Sequence, residues 1–332
     1  MILITGATGL VGSQLLFDLI SSGNTVRAMR RKGSSMLSVD RLFFEHQDLK
    51  NKIIWVEGDV NDIYSIEDAM DGVDTVYHSA AFISFYPSDT SKMMKVNVEG
   101  TANMVNIAMK KNVGRFCHVS SVAALGRITG QANIDENSWW KTSKKNSNYA
   151  ISKYGGEQEV WRGMEEGLSA FIISPSIILG PGNWESGSSQ MFSRVWKGLR
   201  FYAPGSTGFV DVRDVSKSAI RLMEKGITGE RYIINAENVS YRYVFDLIAK
   251  NLSRRASSFK VTKFLGGLAW RVEALRSFIF LSKSLITKET VNNGFMNWSY
   301  SNEKIIREIG IDFINVEESV AETCRFFLKE KN

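Results

Sequence analysis

Apolar positions along this chain keep two rhythms, and each predicts a kind of element. Short apolar-rich runs at residues 2–4, 25–29, 52–57, 75–78, 115–119 and 170–174 read as strands buried within a sheet. Between them, apolar residues recur at helical spacing. Val11, Leu15, Leu16, Leu19 and Ile20 lead to Gly23; Ile63, Ile66, Ala69 and Met70 lead to Gly72; a longer helix spans 91–111. Met93, Met94, Met104 and Met109 in that last segment read as core filler. Strand and helix alternate as far as residue 174, which predicts an α/β fold on a parallel, doubly wound sheet.

Beyond Pro175 the rhythm changes. Gly180-Pro181-Gly182-Asn183-Trp184 reads as a turn, and residues 186–189 are rich in Gly and Ser. A short strand is expected over 209–212, with Asp214 capping the helix after it, and a last strand over 232–234. From 241 onward the pattern is helical, with breaks near Arg254-Arg255 and Gly266-Gly267. No repeat or low-complexity linker separates the halves, so they are expected to interleave.

The opening run supplies the first chemistry. A strand breaks at Thr5 into Gly6-Ala7-Thr8-Gly9-Leu10-Val11-Gly12, and a helix starts at once. Strand, glycine turn and helix open a dinucleotide-binding unit: the glycines allow the tight turn, close approach of a pyrophosphate and close helix packing. The helix N-terminus offers free N–H groups to the phosphates. The second strand runs into Arg30-Arg31-Lys32, where an NAD site commonly carries an acid for the ribose hydroxyls. Guanidinium forks suit a 2′-phosphate, so NADP(H) is expected in preference to NAD(H). The domain expectation is 1–176 for the dinucleotide, with return of 209–236, and 177–208 with 237–332 for the substrate.

Composition narrows the class. The chain has 332 residues, a formal charge of +6 and two cysteines, Cys117 and Cys324. Its basic residues are scattered among acids and no recognition motif accompanies them, so nucleic acid is not an expected partner. His46, His78 and His118 have no metal-ligand spacing, and no metal is expected; His78 and His118, at strand ends, read as satisfied structural histidines. No apolar stretch is long enough to span a bilayer. A strand from residue 2 argues against a leader peptide, and two cysteines fit a reducing compartment, so a cytoplasmic location is expected.

The fifth strand ends in Ser120-Ser121, and Tyr149-x-x-x-Lys153 follows at the head of a helix, with both side chains on one face. That order resembles the extended branch of the short-chain dehydrogenases/reductases, the NAD(P)-dependent epimerase/dehydratase superfamily. The matching pieces are the Thr5–Gly12 turn, Gly58-Asp59-Val60, His78-Ser79-Ala80-Ala81, Asn97-Val98-x-Gly100-Thr101, Val119-Ser120-Ser121, Tyr149-x-x-x-Lys153 and Gly180-Pro181-Gly182. Within that branch it is most similar to dihydroflavonol-reductase-like and hydroxysteroid-dehydrogenase-like members. The resemblance implies a Rossmann-type sheet and a smaller, mostly helical C-terminal substrate domain. It also implies catalysis by Ser121, Tyr149 and Lys153. Tyr149 is the expected proton donor, Lys153 lowers its pKa and holds the nicotinamide ribose, and Ser121 bonds the reacting oxygen. Asp59 and Val60 would edge the adenine, Ala80 and Ala81 the ribose and phosphates, and Pro175 and Ser176 would complete the cofactor site. Asn97 is counted with the cofactor residues; a helix irregularity, a relay water and plain helix packing all remain open for it.

The expected activity is an NADP(H)-dependent oxidoreductase acting on a ketone or secondary alcohol of a small, fairly hydrophobic molecule. A nucleotide-sugar epimerase or dehydratase is the alternative, and a non-catalytic dinucleotide sensor ranks below both. Sugar enzymes of this branch often carry an arginine before the proline at 175, where this chain has Ser174. Residues 264–286, with Trp184 and Phe192, offer an apolar wall; the opposing candidates, for a diphosphate, are Arg194, Lys197 and Arg200. The same 264–286 run leaves open helix packing or peripheral contact with a membrane. A homodimer or a monomer fits equally.

Overall fold

A computed structural model describes residues 1–126, 133–143, 146–279 and 288–331. Its strands, numbered along the chain, are β1 (Ile2–Thr5), β2 (Val26–Arg30), β3 (Ile54–Glu57), β4 (Thr75–His78), β5 (Arg115–Val119) and β6 (Ala170–Pro175). They continue with β7 (Ile177–Leu179), β8 (Phe201–Tyr202), β9 (Ser206–Asp211), β10 (Glu230–Ile234), β11 (Glu237–Ser240) and β12 (Phe259–Lys260). Seven of them form one sheet in the order β10-β6-β5-β4-β1-β2-β3, every neighbour parallel.

Leu3 and Ile4 show why the strands read as continuous apolar runs. Both are fully buried, yet they point to opposite faces. Leu3 joins a core with Met70, Val105 and Phe116, under helices Ile63–Ala69, Gly100–Lys110 and Asn148–Glu165. Ile4 joins Leu15, Leu19 and Ala219, under helices Leu10–Ser21 and Val212–Glu224. The strand order reverses between β1 and β4, and the crevice at such a reversal is where open α/β sheets bind ligands.

The expected 91–111 helix is broken by a wide turn. Thr90–Met94 is α-helical, Lys95–Glu99 is a π-helical segment holding Asn97, and Gly100–Lys110 resumes the α-helix. Beyond β6 the chain returns to the sheet with helix Val212–Glu224 and β10, and otherwise builds a second lobe. β9 pairs with β7 in parallel and with β11 antiparallel, while β8 and β12 form a two-stranded ribbon. The last strand was expected at 232–234, so β11 and β12 are additions; each is only two to four residues long.

Two further expectations are corrected here. The helix Val212–Glu224 is capped by Asp211, whose carboxylate accepts from the Arg213 N–H at 2.9 Å. Asp214 is instead buried inside the first turn and accepts from the Ile314 N–H at 2.8 Å. Trp184 and Phe192 are core, not cavity wall: each is buried, Trp184 meets Phe327 edge-on at 5.0 Å, and both share a cluster with Leu179 and Ile248. Of the 264–286 run, residues 280–286 lie outside the described residues.

Candidate active site

The glycine turn sits at the sheet's reversal. Gly6 has φ +65°, and a Cβ there would lie 2.7 Å from the Ala80 nitrogen, so both conformation and contact demand glycine. A Cβ on Gly12 would collide with the Gly6 carbonyl. Gly9 is the N-cap of helix Leu10–Ser21 and brings no side chain to its first N–H groups. The turn is bolted to the end of β4. Ser79 Oγ donates to the Thr5 carbonyl at 2.7 Å, and the Ala80 N–H donates to Thr5 Oγ1 at 3.3 Å. Thr8 and Val11 are half-buried, as is Leu10, which packs toward Gly180 and Gly182; Ala81 is exposed.

A cavity of about 500 Å³ opens beyond β2 and β3, lined by Arg31, Lys32, Ser34, Glu57, Asp59 and Asp62 among others. Arg30 takes a different place, its guanidinium 5.1 Å over the Trp55 ring. Val60 is buried where a Gly100 side chain would stand, and its carbonyl accepts from Asn103. A dinucleotide fits these residues on two observations: the exposed Gly9 puts no side chain in front of the turn, and the helix beginning there has no side-chain cap. Pro175 ends β6, and Ser176, buried, donates its N–H to the Ile234 carbonyl at 3.0 Å.

The helix Asn148–Glu165 brings the second set of groups to the same end of the sheet. Ser147 caps it by accepting from the Ala150 N–H. Tyr149 stands in its first turn, and its ring meets Phe85 edge-on at 5.9 Å. One turn later Lys153, 3% exposed, donates from Nζ to the Val119 carbonyl at 2.8 Å. That carbonyl ends β5, two residues before Ser121. Ser121 Oγ accepts from the Ala123 N–H at 3.2 Å, while Ser120 Oγ is buried with no partner among the described residues. Asn97, 2% exposed, ties loop to helix. Its amide donates to the Phe82 carbonyl and to Ser152 Oγ, both at 3.0 Å, and its Oδ1 accepts from the Phe82 N–H at 2.7 Å.

Behind these groups lies a buried polar layer that spacing alone did not reveal. Burial pushes Lys153 down to about 8, and the Glu157 carboxylate one turn on opposes the shift. Glu157, fully buried, is paired with Arg231 at 2.8 Å and accepts from Ser174 Oγ at 3.2 Å. Arg231 also donates to the Glu136 carbonyl at 2.6 Å. His78 is satisfied as expected: Nδ1 lies 2.7 Å from Thr5 Oγ1 and Nε2 lies 3.1 Å from Thr101 Oγ1. Its neighbour His118 departs from expectation, because neither ring nitrogen finds a partner among the described residues. Burial first, then the Lys153 charge, pushes both histidines toward the neutral form, His78 to about 3. No group of residues able to hold a metal occurs among the described residues.

A family model described as NAD dependent epimerase/dehydratase matches residues 2–235. The sterol demethylase protein B of Methylococcus capsulatus is 34% identical, over 71% of this chain and 70% of its own length. A protein of Synechocystis named putative dihydroflavonol 4-reductase is 28% identical over 98% of this chain and 93% of its own. Among solved structures, that of gox2253 superposes with a TM-score of 0.83 at 28% identity, covering 99% of this chain and 98% of that one.

Proposed function

We propose, from the premise that this chain belongs to the NAD dependent epimerase/dehydratase family, that it is an NADP(H)-dependent oxidoreductase interconverting a ketone and a secondary alcohol on a small apolar substrate. The observation that carries the reading is Lys153 buried against the end of β5, one helical turn from a tyrosine whose ring faces an apolar loop. A free phenol titrates near about 10, too high for efficient proton transfer at neutral pH. An ammonium one turn away favours the phenolate, and burial strengthens that effect because little water screens it.

In the direction of reduction the Tyr149 hydroxyl gives its proton to the carbonyl oxygen; in oxidation it takes one back. Ser121, whose Oγ already accepts from Ala123, keeps its hydroxyl proton to donate to the same oxygen. When bound, the nicotinamide supplies or accepts the hydride. The N–H groups behind Gly9 would hold the pyrophosphate, and Arg31 with Lys32 a 2′-phosphate. Phe82, Ile83 and Phe85 would give the substrate an apolar wall and keep water from the phenol. Reductase names among the relatives support that substrate class. We assign residues 1–176 and 209–236 to cofactor binding, and 177–208 with 237–332 to the substrate.

One observation favours a second reading. Arg194 is drawn below its usual pKa by burial, with the Tyr86 phenol opposing, so a guanidinium stands near the loop that follows β4. It would suit a diphosphate, as in a nucleotide-sugar epimerase. A single set of experiments separates the readings. Tyr149→Phe should keep NADP(H) affinity and lose turnover of an apolar ketone by about 10²–10⁴-fold. Arg31→Ala should weaken NADPH and leave NADH alone. Tight binding of a nucleotide sugar that Arg194→Ala abolishes would replace the first reading by the second.

A further inference from the structure

Over its first described turns, helix Lys263–Ile279 turns a glycine inward and large apolar side chains outward. Its Gly266 is buried, and a Cβ there would meet Val291, Phe295 and Val261. Phe264, Leu265, Leu268 and Val272 are 80%, 50%, 51% and 59% exposed. At 100° per residue these four fall within about a third of the helix circumference. Lys263 and Arg271, both exposed, flank them. Next to the helix in the chain, Phe201 and Phe259 are register partners in the β8–β12 ribbon, their rings 5.8 Å apart and each 57% exposed. Apolar side chains grouped this way on a soluble surface mark something that covers them.

Charge identifies the cover. From Phe259 to Val272, over the ribbon strand and the described turns of the helix, the chain carries Lys260, Lys263 and Arg271, all exposed, and no acid. A second copy of the chain would bring two such sets of cations into one interface, which repels. We propose that this face is a docking surface for an anionic lipid bilayer. The apolar row enters the acyl boundary, and Lys263 and Arg271 extend their heads to the lipid phosphates, the arrangement of an interfacial amphipathic helix. No described helix is long and apolar enough to cross a membrane, so the contact lies along the surface. The inference is independent of the catalytic assignment above.

The test is sedimentation of the full chain with vesicles of phosphatidylcholine alone, or with about one-third phosphatidylglycerol. Binding is expected only to the anionic vesicles, and should weaken as salt is raised. Phe264→Asp/Leu268→Asp should abolish it, and Lys263→Glu/Arg271→Glu should weaken it by about thirtyfold or more. All four side chains are exposed, so melting temperatures should stay near wild type. A wild-type chain that stays in solution with both vesicles, or binds both equally, overturns the proposal. So does a dimer, seen by light scattering, that Phe264→Asp/Leu268→Asp dissociates, since the cover is then a second copy.

Discussion

Lys153 is a cation with almost no aqueous face, and the groups around it decide how much charge it keeps. Val119 offers a carbonyl; His78 and His118, held neutral, offer none; Glu157 offers the nearest negative charge. Removing that charge lowers the Lys153 pKa further, so its protonated form is lost at lower pH. Glu157→Gln is therefore expected to move the alkaline limb of the kcat profile downward by about one unit or more. It also strips Arg231 of its partner, costing about 3–5 kcal/mol of stability. Rates measured from pH 6 to 10 with a melting curve at each pH check both effects, and an unmoved limb would remove Glu157 from the mechanism. Lys153 leaves a second signature. Its folded value near 8 lies below the 10.5 of a free lysine, so the unfolded chain binds more protons between them. Its contribution to stability therefore rises as pH climbs through that window.

Legibility at the scale of elements followed burial. β4 lies where its apolar run predicts it, and helix Asn148–Glu165 puts Tyr149 in its first turn as expected because Ser147 caps it locally. The short strands β7, β8, β11 and β12 are not legible because two to four residues carry little period, and each pairs with a strand distant in sequence within the same lobe. Glu157 and Arg231 are far apart in sequence, so nothing local shows that they meet. Trp184 and Phe192 are core where a cavity wall is expected, because apolarity does not say whether a side chain faces a cavity or a core. The burial of Asp214 has a measurable counterpart. Burial raises its carboxyl to about 6, so the folded state holds a proton between 3.8 and 6 that the unfolded state releases. Stability from this group accordingly falls as pH rises through that window. Asp214→Asn, which can still accept from Ile314, should be more stable at pH 7 by roughly 1–3 kcal/mol and gain nothing at pH 4, read from denaturant unfolding at the two pH values. Equal shifts at both values would contradict the assignment.

At the scale of the molecule, two cores flank the sheet and a third fills the second lobe. A clamp joins them: Arg41, beside the first helices, pairs with Glu330, donates to the Gly182 carbonyl and lies 4.8 Å over Trp184. Phe327→Ala, at a fully buried position in the third core, should lower stability by about 3–5 kcal/mol. Because it leaves the sheet cores intact, NADPH affinity by calorimetry should stay within about twofold of wild type. A collapse of affinity would mean that the lobes unfold as one unit. The sheet order has a different consequence, for how the chain is made. β6 is finished at residue 175, but its outer neighbour β10 ends only at 234, so a nascent chain carries a bare parallel edge for the synthesis of almost sixty residues. During that interval Glu157 also waits, without Arg231, beneath a half-built sheet. An open, apolar strand edge is a template for pairing with other chains. A ribosome stalled anywhere between those two points should therefore hold a nascent chain that draws chaperones or aggregates, and one stalled well beyond residue 234 should not.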